Sequence, residues 1–406
     1  MGRNPHTEED PVKKQFIGGA AAIGVIASLI LAAPAAHAEP VGDGYTVVGS
    51  DTLEIAMDLL ANGTTASGAP VRVLALDGRT VDNFAAAPSG VNLAGGKIVA
   101  KPYGTPFLRP NGSGDGHRAL SRSIDGTPWK DGSTITGQVD ISRSSSTPSG
   151  ANANGPIAAI PFGRDAAAYA SNNAALNNLT TSQIEQLFEC TLDVNSTING
   201  VRVGDITPVI PQEGSGTRAD FLAKHNISPV GACVATGQEH ETRYIYTDKT
   251  GTSQIQRNDT TTQYKNEAGA VIGTGFPANM VTVMSTVQWI LQKNIPAYNR
   301  IGSGFEIYSW VPTAPTPVDV VGGKYVPNNT FYASAAGRDT VLLVEYARIN
   351  ENDPKYDAVL ADLLGEEKLG DVTTSFLPSD VMSAKQALGF GVPVSTTINR
   401  YNLRAN

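Results

Sequence analysis

Residues 44–52 read Gly44-Tyr45-Thr46-Val47-Val48-Gly49-Ser50-Asp51-Thr52, and this stretch decides the expected fold. Its apolar first half predicts a short β-strand, the glycine that follows predicts a turn, and the polar residues after it predict a helix that runs through Leu60. Two further strand–turn–helix units follow, with their turns at Gly112-Ser113-Gly114 and at Gly214-Ser215-Gly216-Thr217. Strands that alternate with helices in this way indicate an α/β fold.

Each of these turns places glycine and a hydroxyl residue at the start of a predicted helix. The first backbone N–H groups of a helix have no partner inside the helix, and the helix dipole is positive at that end. Glycine lets an anion approach the backbone closely, and serine or threonine adds a hydroxyl donor. One hydroxyl at a helix start is explained by capping alone. Three such starts, with the serine-rich strand end at Val139–Ser146, favour a site that encloses a tetrahedral oxyanion.

The composition limits the functions that this chain of 406 residues can have. Its length predicts one large or two medium domains. The net charge of −8 argues against a nucleic-acid partner, so a bound anion would be held by local geometry and not by a basic surface. The sequence has no Walker P-loop, no Gly-x-Ser-x-Gly elbow and no His-Glu-x-x-His helix, so we predict no enzymatic activity, no cofactor and no metal site. Glu239-His240-Glu241, within the polar stretch 236–275, is interpreted as a surface cluster.

The N-terminus has the pattern of a secretory signal peptide. Lys13 and Lys14 precede an apolar run, Phe16–Ala36, which leads into the small-residue exit Ala36-His37-Ala38. We therefore expect residues 1–38 to be removed after Ala38 and the mature protein to be extracellular or associated with the cell envelope. An uncleaved membrane anchor is the alternative, because the apolar run has about the length that spans a bilayer. No cysteine follows the exit, which argues against a lipid anchor there.

Cys190 and Cys233 are the two cysteines of the sequence. In an exported protein two cysteines predict one disulfide, because the oxidising environment keeps such a bond formed. Two separate buried thiols are the alternative, and they are less expected outside the cytoplasm.

The order of these segments resembles that of the PstS-type phosphate-binding proteins of ABC importers, a family of extracytoplasmic solute-binding proteins. The resemblance covers residues 44–225, and the Gly-Ser-Gly-Thr loop is its most specific part. In chain order, the similar segments are Gly49–Leu53 (the first phosphate loop), Gly112–Gly114 (the second loop), Val139–Ser145 (the family's "VDFGASD"-like segment), Leu179–Phe188 (a family helix) and Gly214–Thr217 (the end of its "R-x-D-G-S-G-T" loop).

The resemblance implies a two-lobed α/β receptor that closes over a ligand in the cleft between its lobes. It places lobe I at residues 39–158 and 290–406 and lobe II at residues 159–289. The expected ligand is inorganic phosphate or a related tetrahedral oxyanion. The expected partner is the membrane permease of an ABC importer, and we expect the receptor itself to be a monomer.

The resemblance also implies a set of ligand-binding residues. The hydroxyls and N–H groups of five of them are expected to contact the anion, and seven neighbours complete the candidate site. The five are Thr52, Ser113, Ser215, Gly216 and Thr217, and the seven are Ser50, Asp51, Gly114, Arg143, Ser144, Ser145 and Glu213.

Two positions depart from the family pattern. The family's arginine before the Gly-Ser-Gly-Thr loop is Pro211 here, and its aspartate, which accepts the proton of a protonated phosphate oxygen, falls on Ser145. Arg143 or Arg218 could supply the cation instead. Asp51 or Glu213 could supply the proton acceptor.

These departures keep two alternatives open. One is a secreted or envelope protein that has the same fold but has lost or changed its ligand. The other is a phosphatase-like enzyme that uses the same oxyanion site, which is less expected because the sequence offers no visible pair of nucleophile and base.

Overall fold

The computed structural model describes residues 42–86, 96–365, 374–377 and 379–405. These residues belong to one compact unit, residues 34–406. The predicted signal peptide, residues 1–38, lies outside the described residues. Within the described part of the chain, no helix is both long enough and apolar enough to cross a membrane.

Strands and helices are mixed along the whole described chain, which confirms the predicted α/β class. The strands are β1 (Tyr45–Gly49), β2 (Val81–Asn83), β3 (Lys97–Ile98), β4 (Phe107–Leu108), β5 (Ile141–Ser144), β6 (Ile157–Ser171), β7 (Thr197–Ile198), β8 (Val201–Arg202), β9 (Thr207–Pro211), β10 (Ala235–Gly237), β11 (Tyr244–Tyr246), β12 (Gln254–Gln256), β13 (Gln263–Lys265), β14 (Val271–Thr274), β15 (Met280–Ser285), β16 (Glu306–Tyr308), β17 (Val318–Val321), β18 (Lys324–Pro327), β19 (Gly337–Glu345) and β20 (Asn399–Tyr401). The α-helices are α1 (Asp51–Asn62), α2 (Ser113–Asp125), α3 (Thr181–Glu189), α4 (Gly216–Lys224), α5 (Thr286–Asn294), α6 (Asn329–Ala333), α7 (Ala358–Leu364) and α8 (Ser379–Ala387).

One large sheet has the strand order β10-β9-β15-β6-β19-β5-β1-β2. The group β2, β1 and β5 is parallel, and so is the group β10, β9 and β15. The long antiparallel strands β6 and β19 lie between the groups, so the two groups run in opposite directions. The carboxyl ends of both groups therefore point toward the middle of β6. In open α/β sheets, ligands bind outside the carboxyl ends of the strands.

Local sequence explains where the central helices begin. The Ser50 hydroxyl accepts a hydrogen bond from the Thr52 N–H at 3.2 Å and caps α1, as a serine at this position is expected to do. Ser215 caps α4 in the same way, through the Arg218 N–H at 3.0 Å. The helices predicted after the three glycine-rich turns are thus present as α1, α2 and α4.

Two predicted elements need correction. The composition of residues 282–293 predicts a helix, but the helix begins only at Thr286, because the β-branched residues before it form β15, which pairs with both β6 and β9. The apolar run at 71–76 predicts a strand, but no strand forms there, and Val71 makes an isolated bridge with Thr64.

Buried apolar side chains form three clusters on the two halves of the sheet. One cluster packs around the second half of β6 and around β9 and β15, and it includes Phe305 and Phe331 from the later part of the chain. The other two pack around β1, β5, the first half of β6 and β19. Helix α5 contributes Trp289 to the first cluster and Val287 and Leu291 to the second. The lobe boundaries at residues 158–159 and 289–290 stay a prediction.

Cys190 and Cys233 form the predicted disulfide, with their Cα atoms 5.9 Å apart. The bond ties the end of α3 to the segment that leads into β10. It therefore anchors the start of the strand whose carboxyl end enters the candidate site.

Replacing both cysteines by serine is expected to lower the free energy of unfolding by about 4 kcal/mol, because the bond closes a loop with a sequence separation of 43 residues and restricts the unfolded chain. Urea unfolding of the oxidised wild type and of the double variant would measure this difference. Equal midpoints and slopes for the two proteins would contradict it.

Candidate functional site

The starts of α2 and α4 touch each other directly. The Gly114 N–H donates a hydrogen bond to the Gly214 carbonyl at 3.2 Å. A Cβ atom added at Gly112 would overlap that same carbonyl, so the two turns approach this closely only because Gly112 has no side chain. The two glycine-rich turns predicted from the sequence therefore meet in space, although about 100 residues separate them along the chain.

The end of β5 brings a second serine to this contact. The Ser113 and Ser145 hydroxyls lie 3.0 Å apart, and the Ser145 N–H donates to the Ser113 hydroxyl at 3.0 Å. A Cβ atom added at Gly216 would overlap both hydroxyls. Ser113 and Ser145 are buried, so two neutral donors and the first turn of α4 share one small, enclosed space.

A cation to which no sequence motif points, Arg338, contacts the start of α4. The Thr217 hydroxyl accepts a hydrogen bond from the Arg338 guanidinium at 2.7 Å. Arg338 lies on β19, is 5% exposed, and forms an ion pair with the fully buried Asp165 of β6 at 2.7 Å. An always-charged group is thus held beside the neutral donors at the middle of the sheet.

The start of α1 is connected to the site through a histidine. The Thr52 hydroxyl lies 3.1 Å from Nε2 of His240. The Ser285 N–H, at the start of α5, points at Nδ1 of the same ring at 3.4 Å. Four helix starts, those of α1, α2, α4 and α5, therefore lie around one centre.

Glu239 reaches the same centre from the end of β10. Its side chain is fully buried, and its Oε1 atom lies 3.1 Å from Nε2 of His240. Burial acts to raise the pKa of Glu239, but His240 and the hydroxyls of Thr217 and Ser215 outweigh it and lower that pKa to about 2. A carboxylate anion therefore lies between the starts of α1 and α4.

The predicted surface position of Glu239-His240-Glu241 is wrong, since all three side chains are buried. The polar composition of this segment suggested a solvated loop. The segment instead follows β10, whose carboxyl end points into the middle of the sheet, and it is buried together with the helix starts.

Asp51 occupies the first turn of α1 and is fully buried. Burial raises its pKa to about 7, although Arg300, whose Nη2 lies 3.4 Å from Oδ1, acts to lower that pKa. Asp51 is therefore a carboxyl group that can be protonated near neutral pH, at the base of the helix that carries Thr52.

Four of the remaining candidate residues do not contribute their side chains to the centre where the helix starts meet. The Arg143 guanidinium donates to the carbonyls of Ser50 at 2.9 Å and of Phe84 at 2.9 Å, so it fixes the turn between β1 and α1. Arg218 forms an ion pair with Glu267 at 2.6 Å, and Glu213 is exposed to solvent. The Ser144 hydroxyl donates to the Ser146 carbonyl at 2.6 Å.

A groove of about 490 Å³ opens onto the starts of α2 and α4. Four cationic side chains line it against two acidic ones: Arg118 and Lys130 both form ion pairs with Asp115, and the others are Arg218, Arg404 and Glu213. In a protein with a net charge of −8, this groove is a locally positive approach to the helix starts. Among the residues that the structure describes, no group of three His, Cys, Asp or Glu side chains could hold a metal ion.

No protein-family model matches the chain, and no curated protein matches it significantly. Solved structures similar to the chain include an ABC-type phosphate transport receptor from Vibrio cholerae, with 13% identity and a TM-score of 0.40 over 86% of this chain and 100% of that one. A protein described as a phosphate ABC transporter substrate-binding protein with bound phosphate, from Clostridium perfringens, has 12% identity and a TM-score of 0.41 over 84% and 98%. PstS from Borrelia burgdorferi has 12% identity and a TM-score of 0.31 over 74% and 87%.

All three proteins are of the class that the sequence resembles. Their overlap with this chain is loose, so the function proposed below rests on the geometry of the site and not on these similarities.

Proposed function

We propose that the mature protein is an exported receptor that binds a small tetrahedral oxyanion and delivers it to an ABC importer. Phosphate is the leading candidate for this oxyanion. One observation carries the proposal: the starts of α1, α2 and α4 converge and bring buried hydroxyls to one centre. We call these hydroxyls and the adjacent guanidinium the anion cradle. Its members are Thr52, Ser113, Ser145, Ser215, Thr217 and Arg338.

The chemistry of the anion cradle suits such a ligand. Backbone N–H groups at a helix start and hydroxyl donors bind anionic oxygens without a mobile counter-charge, and the helix dipoles add to the attraction. Arg338 supplies the positive charge that was expected from Arg143 or Arg218. Because it is buried and fixed by Asp165, its interaction with an anion would be screened little by salt. The positive groove offers a route from solvent to the helix starts.

The position of the cradle supports closure between two lobes. Thr52 and Ser145 follow strands of one parallel group, and Ser215 and Thr217 follow a strand of the other. These four members lie at the carboxyl ends that face each other near the middle of β6. An anion bound there would hold the two groups together. The permease partner, the monomeric state and the lobe boundaries belong to this proposal.

Calorimetric titration of residues 39–406 with phosphate, arsenate, sulfate and molybdate tests the proposal. We expect saturable binding of one phosphate per chain, with a dissociation constant that changes little between low and moderate salt because the donors are buried. A chain that binds none of the four anions would exclude the receptor function. Binding of sulfate in preference to phosphate would retain an oxyanion receptor but change its ligand.

One observation favours the second candidate, a protein of this fold that has lost or changed its ligand. The Glu239 carboxylate is itself an anion, and it lies beside Ser215 and Thr217 of the cradle. The absence of binding to the four anions, in a correctly folded chain, would favour this candidate.

A further inference from the structure

We propose that Glu239 is the resident anion of the cradle, and that its carboxylate competes with any oxyanion that enters. This inference rests on the proposed function, because it concerns the same site. It identifies a residue that determines affinity, and nothing in the phosphate-loop pattern of the sequence points to it.

The Glu239 carboxylate lies among the donors of the proposed site. Glu239 is fully buried, Oε1 lies 3.1 Å from Nε2 of His240, and that nitrogen lies 3.1 Å from the Thr52 hydroxyl. On its other side, the hydroxyls of Ser215 and Thr217 act to lower the pKa of Glu239, although neither of its carboxylate oxygens has a hydrogen-bond partner among the described residues. The carboxylate thus lies between donors of α1 and donors of α4, which are the groups proposed to bind the ligand.

Hydrogen bonds to the backbone hold Glu239 in this position beside the anion cradle. The Glu239 N–H donates to Gln212 Oε1 at 2.8 Å, and Gln212 Nε2 donates to the Asn111 carbonyl at 3.1 Å. Gln292 Nε2 donates to the His240 carbonyl at 3.1 Å. The backbone around Glu239 is therefore fixed to the turns before α2 and α4 and to α5, so its side chain does not reach the cradle by chance.

The Glu239 side chain has the same chemical features as an oxyanion ligand. An ionised carboxylate offers acceptor oxygens and negative charge, which are the features that helix starts and hydroxyls select in an oxyanion. Two anions cannot share these donors without strong repulsion in a buried site. An entering phosphate must therefore displace Glu239, and the free energy of that displacement is subtracted from the free energy of binding.

Comparison of wild type, Glu239→Ala and Glu239→Gln by phosphate titration tests the inference. We expect Glu239→Ala to bind phosphate at least about tenfold more tightly than wild type, a change of about 1.4 kcal/mol. Glu239→Gln should fall between them, because the amide keeps the volume but loses the charge. Glu351→Ala, which removes an exposed glutamate and changes the net charge equally, is the matched control and should bind as wild type does.

A second measurement does not depend on phosphate. Formate or acetate at millimolar concentration should raise the melting temperature of Glu239→Ala by replacing the missing carboxylate, and should leave that of wild type unchanged. If Glu239→Ala does not fold, Glu239→Gln supplies the titration, and tighter phosphate binding than wild type is still expected.

The outcomes separate this inference from the proposed function. Equal or weaker phosphate binding by the folded variants, with binding by wild type, would overturn the resident-anion inference and keep the receptor. Binding by the variants alone would overturn the receptor function and support the resident anion. If no form binds any oxyanion, the receptor function falls, and the response of Glu239→Ala to formate alone decides for or against the resident anion.

Discussion

Replacing Ser215 and Thr217 together by leucine is expected to abolish oxyanion binding, with a loss of affinity of at least about a hundredfold. Both side chains are buried at the start of α4, Ser215 with 2% and Thr217 with 0% of its surface exposed. The exchange removes two hydroxyl donors and fills the space beside Gly216 with apolar atoms. Calorimetric titration with phosphate, on protein whose folding is verified by circular dichroism, would measure the loss.

The matched control is Ser196→Leu with Thr197→Leu, which makes the same two exchanges at exposed positions near β7 and should leave the affinity unchanged. The milder pair Ser215→Ala with Thr217→Val removes the hydroxyls with little added volume, and it keeps the test valid if the leucine variant does not fold. Phosphate affinity within about threefold of wild type in a folded Ser215/Thr217 variant would place the oxyanion elsewhere in the protein.

The helix starts could be predicted from the sequence because their signals are local. Gly49-Ser50-Asp51 and Gly214-Ser215-Gly216 each combine a turn residue with a capping hydroxyl within a few positions, and the structure has α1 and α4 at these places. The length of β6 was not predictable in this way. Its second half contains Ala166-Ala167-Ala168, which carries no β preference, and it becomes strand through its pairing with β15 and β19.

The sequence pointed to the hydroxyl residues at the helix starts and to Asp51, but not to Arg338 or Glu239. Thr217 belongs to a recognisable loop, whereas Arg338 is a single arginine 121 residues further along the chain and has no motif around it. Glu239 lies in a polar segment that looks solvated until the fold places its neighbour His240 beside Thr52, 188 residues away. Charged partners of this kind are brought together by tertiary structure, so no local sequence motif indicates them.

Replacing Arg338 by methionine is expected to lower the free energy of unfolding by about 3–5 kcal/mol, because it leaves the buried carboxylate of Asp165 without its cation. The Arg338 guanidinium makes two hydrogen bonds to Asp165 Oδ2, at 2.7 and 3.1 Å, and both side chains are almost fully buried. Urea unfolding at neutral pH would measure the change. A loss below about 1 kcal/mol would mean that solvent or other groups compensate Asp165.

The matched control is the exposed ion pair between Lys355 and Glu345, whose atoms lie 2.7 Å apart with the Lys355 side chain 60% exposed. Lys355→Met should cost less than about 1 kcal/mol, because solvent already screens that pair. The same charge removal thus has different consequences according to burial.

The double variant Arg338→Met with Asp165→Asn separates the two roles of Arg338. Removing both charges should restore much of the stability lost in the single variant, because no uncompensated ion remains buried. The single and the double variant should both lack phosphate binding, because both lack the Arg338 guanidinium. That group contacts Thr217 at 2.7 Å and supplies the buried positive charge of the anion cradle. Recovery of both properties together would mean that Arg338 stabilises the centre of the sheet but contributes nothing to the anion.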